Sequence, residues 1–131
     1  MMEPWRFKPG QVWTYDNRDG EEDSRAVILR IDEEDGVRIF HICVRGLQIR
    51  DPYDPNARID TITHMPFAAD AAMASLKELD RVGAIPNFSE GYANWRTAYE
   101  RREAGVFTIS IGQAVAYMAG EAQGDIGDVL E

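Results

Sequence analysis

The sequence predicts one α+β domain. An N-terminal antiparallel curled sheet, or small SH3-like partly open barrel, of about five strands is packed by about three C-terminal helices. Three observations lead there. Apolar residues recur with period two through the first half and near period 3.6 through the second. No strand–helix–strand alternation interrupts that order, so the sheet is antiparallel and segregated from the helices. A chain of 131 residues suffices for one core and hardly for two. The domain is drawn over 1–120, with the Gly-rich, acidic 121–131 as a flexible tail.

The elements follow in order. Gln11–Asp16 alternates around Val12, Trp13 and Tyr15. Arg25–Ile31 sets Val27, Leu29 and Ile31 on one face and Ala26 and Ile28 on the other. Val37–Arg45 is apolar on both faces, as a central strand covered on both sides would be. Asp32–Gly36 between these two is read as a charged turn, which makes 25–45 a hairpin. Gly46 bends the third strand before Leu47–Arg50, and Asp51–Asn56, with Pro52 and Pro55, is a loop because proline is excluded from a central ladder. Ile59–His64 is a further strand. Ala69, Ala72, Met73, Leu76 and Leu79 then predict a helix over 68–81. Asn87 or Ser89 starts a second helix, with Asn87 and Glu90 at capping-box spacing, a stripe of Phe88, Tyr92, Trp95 and Tyr99, and a stop at Gly105. A short apolar β segment, 106–109, precedes a third helix capped by Ser110 with Gln113 and ended by Gly120. Helices on one side of the sheet would close the core.

Charge is the unusual part of the composition. Asp plus Glu number 23 against 14 Lys plus Arg, a formal net charge of −9. The excess is even along the chain, −4 over 1–65 and −5 over 66–131. That field repels phosphate backbones and anionic membranes, so neither nucleic acid nor membrane is an expected partner. No apolar run is long enough to span a bilayer, and the first ten residues lack the apolar core of a signal peptide. The single Cys43 rules out an intrachain disulfide and fits a reducing cytoplasm, the expected location.

Nucleotide-binding glycine loops, His-Glu-x-x-His, paired cysteines and Gly-x-Ser-x-Gly are all absent, so no cofactor is expected. Three constellations remain. His41 and Cys43 share one strand face, and His64 joins them if its strand lies alongside. Two imidazoles and a thiolate suit zinc, or an activated Cys43, whereas the structural reading is a buried thiol beside a hydrogen-bonded histidine. The loop Asn17–Arg25 packs Asp19, Glu21, Glu22 and Asp23 with Arg18 and Arg25 into nine residues. Neighbouring carboxylates there suit acid–base work or a basic partner, or else they merely solvate a hairpin connection. The aromatic groups, Trp5, Phe7, Trp13 and Tyr15, and the helical stripe, read first as core and second as an oligomer surface.

Lys8-Pro9-Gly10-Gln11-Val12-Trp13, then Gly20-Glu21-Glu22 and Arg25-Ala26-Val27-Ile28-Leu29, resembles the opening of the MazF/PemK toxin barrels over about 22 residues. The resemblance implies a small SH3-like barrel, and it maps that RNA-cutting family's loop arginine to Arg25. Ala26 stands where the family has proline, and a net charge of −9 opposes an RNA-cutting surface.

The expected function is therefore binding: an accessory or immunity-type protein whose acidic 18–23 segment (Arg18, Asp19, Glu21, Glu22, Asp23) meets a basic patch on a protein partner. The alternative is a hydrolase- or nuclease-like enzyme whose site draws on Glu21, Glu22, Arg25, His41 and His64, which must then converge.

Overall fold

The computed structural model describes residues 6–51 and 53–120. Trp5 and the acidic tail 121–131 lie outside the described residues. Five strands form one antiparallel sheet in the order β4-β3-β2-β1-β5: β1 Gln11–Trp13, β2 Arg25–Glu34, β3 Val37–Asp51, β4 Asp54–Ala68 and β5 Leu79–Val82. Three helices complete the fold, α1 Ala69–Ser75, α2 Ser89–Glu100 and α3 Ile111–Met118. The sheet is not closed, with β4 and β5 as its edges, in line with the open arrangement of about five strands expected.

The β2–β3 hairpin is the spine. Its turn is only Asp35-Gly36, both at positive φ (52° and 79°), the conformation whose twist matches the flanking strands. Asp32 therefore belongs to the strand and not to a charged turn. Gly46, at φ 77°, marks the expected break in β3, where the register with β4 shifts between Arg45 and Ile49. β4 is longer than the 59–64 expected and includes Pro55 and Pro66. It tolerates them because it is an edge strand, and Phe107 adds to its outer side near Pro66 in a parallel bridge.

The helix expected over 68–81 ends at Ser75. Ala72, Met73 and Leu76 do enter the core, but Leu79 is 48% exposed and starts β5. Thr14 decides this: its N–H donates to Glu78 O, and its C=O accepts from Lys77 N–H, which draws the chain onto the free edge of β1. Tertiary hydrogen bonds outweigh a helical preference worth a few tenths of a kcal/mol per residue. α2 stops at Glu100, earlier than Gly105, with Arg102 left-handed at φ 60°. Its Asn87 accepts from Ser89 N–H, without a reciprocal Glu90 contact among the described residues. The Ser110–Gln113 capping box of α3 is complete.

Helices cover both faces of the sheet, in contrast to the single side expected. α1 and α3 pack with Phe40, Ile42, Val44, Met65 and Phe67. α2 lies across the opposite face, over Val27, Leu29, Ile39 and Cys43. Successive residues of β3 thus enter two separate cores, and the α2 face holds the buried Asp32 and His41.

Candidate functional site: a buried Asp–His–His chain

Two irregularities in the ladder assemble the site. β2 and β3 pair Ile28 with Ile42, then Arg30 with His41, so Leu29 is one residue too many for its partner strand. Above this bulge Val27 and Leu29 face α2; below it Arg30 and Asp32 do, while Ile31 joins the opposite core. Strict alternation would have turned Asp32 away from His41. β4 carries the second bulge. Ile42 pairs with Met65 and Val44 with Ile62, so Thr63 and His64 together oppose Cys43.

Asp32, 7% exposed, accepts three hydrogen bonds: Arg30 Nε donates to Oδ1 at 2.6 Å, and Tyr92 Oη and His41 Nε2 donate to Oδ2 at 2.8 and 2.9 Å. Burial pushes its carboxyl up, but these donors outweigh burial and hold it below its ordinary value. An ionised Asp32 fixes the rest of the chain. His41, fully buried, carries its proton on Nε2, so its Nδ1 accepts from His64 Nε2 at 2.9 Å. His64 is then left with a lone pair on Nδ1. His64 is half-buried; burial first, and the neighbouring His41 second, lower its pKa to about 4. Burial also lowers His41, against the pull of Asp32.

α2 supplies the lid. Tyr92 and Trp95 meet the His41 ring edge-on, both at 4.9 Å, and Arg30 stacks 4.7 Å from the Tyr92 ring centre. Gly91 allows the close approach, since a Cβ there would lie 3.2 Å from His64 Cβ. Trp95 is anchored in turn by donating from Nε1 to Gly105 O at 2.9 Å.

The other sequence candidates lie elsewhere. Cys43 shares the face of His41 but packs among Val12, Val27, Leu29 and Phe88, and burial raises its thiol pKa. Glu21, 2% exposed, is gripped by Arg18 through both oxygens and by Gln48 N–H, which pins the 17–24 loop to β3. Glu22 accepts from Gly20 N–H, Arg25 meets Asp80 at 3.4 Å, and Asp19 and Asp23 are exposed. Arg25 pairs with Arg45 at the far end of the ladder, about 16 Å along β2 from Arg30. His41 and His64 therefore meet each other without Glu21, Glu22 or Arg25. Among the described residues no group of three His, Cys, Asp or Glu is set to hold a metal ion, and His41 has both nitrogens engaged.

Comparison with protein-family models, curated proteins and solved structures found no match. The functional reading rests on the residues themselves. Those that sequence reasoning missed are Asp32, Arg30 and Tyr92. Arg30 and Asp32 are polar at alternate positions beside an apolar run, a pattern hidden by the extra residue at Leu29.

Proposed function

We infer that the Asp32–His41–His64 chain is a general acid–base site of a hydrolase-like enzyme, with His64 as the group that exchanges a proton with the reacting molecule. The observation that carries this reading is the hydrogen-bonded line of three ionisable side chains, drawn from three strands and ending in a half-buried imidazole with a lone pair on Nδ1. A proton taken from an attacking water by His64 Nδ1 releases the Nε2 proton to His41 Nδ1. The positive charge then rests on His41, where the Asp32 carboxylate offsets part of the cost of burial, and not on His64, where nothing offsets it. Arg30 and Tyr92 hold Asp32 ionised and oriented, as positioning residues. Attack of water on an activated acyl or phosphoryl centre fits this machinery.

The test is hydrolysis of p-nitrophenyl esters and bis-p-nitrophenyl phosphate by wild type, His64→Gln and His41→Gln. Turnover that falls about a hundredfold or more in both variants, with folding retained, is the expected result. Turnover of none of these substrates by wild type, or turnover that survives His64→Gln, overturns the reading.

A second reading is supported by the 17–24 loop. Because the Arg18–Glu21–Gln48 clamp fixes this loop, Asp19, Glu22 and Asp23 form a preorganised acidic surface suited to a basic protein partner.

A further inference from the structure

An open groove of about 850 Å³ lies at the C-terminal end of α2, between the tip of the β2–β3 hairpin and the chain leaving the helix. Its walls are largely apolar, with Val37, Ala68, Val106 and the Tyr99 ring contributing. They are also fixed. Tyr99 stacks on Trp95 at 4.6 Å and 24°, and Trp95 is tied to Gly105. The left-handed Arg102 reverses the chain, Glu103 N–H donates to Ala98 O at 2.8 Å, and Phe107 N–H donates to Pro66 O at 2.9 Å. A preformed apolar concavity of this size is the usual form of a small-ligand site.

The charges around the groove choose the ligand. Glu34, Glu100 and Glu103 face Arg96 and Arg102. Arg96 is bonded to Glu34 and lies 3.4 Å from Glu100, so its charge is shared between two carboxylates. The excess is acidic, and the molecular charge of −9 has the same sign. We propose that the groove binds an alkylammonium group. The apolar stem lies along Val37, Ala68 and Val106, and the cationic head sits among the glutamates. This site goes beyond the proton-relay reading and does not depend on it.

Calorimetric titration with hexylammonium, hexanoate and 1-hexanol at pH 7 tests the proposal. Saturable binding is expected for hexylammonium, at least about tenfold tighter than for either isostere, weakened several-fold in Glu103→Gln and in Val37→Ser, and retained in His64→Ala. Both groove variants change exposed side chains, so folding is preserved. A lysine peptide and its acetylated form separate the two sources of the group. Tighter binding of the unmodified peptide than of hexylammonium, weakened in Glu103→Gln and Val37→Ser and unchanged in Asp19→Asn with Asp23→Asn, assigns the groove to a protein side chain; equal or weaker binding at the groove assigns it to a free amine. Hexanoate or hexanol binding as tightly as hexylammonium, or no saturable binding of hexylammonium, overturns the proposal.

Discussion

His64 sits at the meeting point of two opposed requirements. Its Nε2–H is needed by His41, while burial and the neighbouring imidazole disfavour a second proton on the ring. In the unfolded chain it titrates near 6.5, and in the folded one near 4. Between those values the unfolded state binds more protons, so stability is present above pH 6.5 and is lost as pH falls toward 4. His41, also lowered by burial, adds to this loss with the same sign. We expect urea unfolding to report a loss of about 2 kcal/mol from pH 7 to pH 4.5, and a shallower slope in His64→Gln. A wild-type stability flat over that range would contradict the buried neutral pair. Asp32 is the residue on which the chain depends. Removing its charge would leave Arg30, Tyr92 and His41 donating to a weaker acceptor in a buried site. Nothing in its own neighbourhood, Asp32-Glu33-Glu34-Asp35, distinguishes it from a solvated turn; its role follows from which way it faces.

The elements divide by whether local sequence or packing decides them. α3 was legible because its cap, its period and its stop are all local: Ser110 accepts from Gln113 N–H, Gln113 reciprocates, and Ile111, Ala114 and Val115 share one face. Its position is also constrained from outside. A Cβ on Gly112 would lie 2.6 Å from the backbone oxygen of Asp16, so the helix start packs directly against the chain that follows β1. Helix propensity alone makes Gly112→Ala stabilising by about 1 kcal/mol. The contact with backbone reverses the sign, and we expect a net loss of about 1–3 kcal/mol in urea denaturation. A variant as stable as wild type would show that α3 can shift away at no cost. α1 illustrates the opposite case, since its apolar period continues to Leu79 while the helix does not. An open strand edge at β1 offers hydrogen bonds that no amphipathic pattern records.

For the whole molecule, the open sheet covered by α2 on one face and by α1 and α3 on the other separates the larger apolar core from the face that holds the Asp–His–His chain. The clamped acidic loop lies at the other end of the β2–β3 ladder from that chain, so the two proposed roles can be tested by separate substitutions. If the loop recognises a basic partner, a lysine-rich peptide should bind with an affinity that falls steeply as salt rises, and Asp19→Asn with Asp23→Asn should reduce both the affinity and its salt dependence. Binding indifferent to salt would exclude electrostatic recognition by this surface. Composition and periodicity by themselves determined the class of fold, an N-terminal sheet with C-terminal helices though not the return to β5 after α1, the β2–β3 hairpin, the double-sided burial of β3 and the cap of α3, because each is set by residues close together in sequence. Only the tertiary structure decided that His41 meets His64 and Asp32, and that Glu21, Glu22 and Arg25 do not. The physical reason is the two bulges. One additional residue in a strand reverses the facing of every side chain beyond it, and alternation read along a single strand cannot register an insertion defined by the strand beside it.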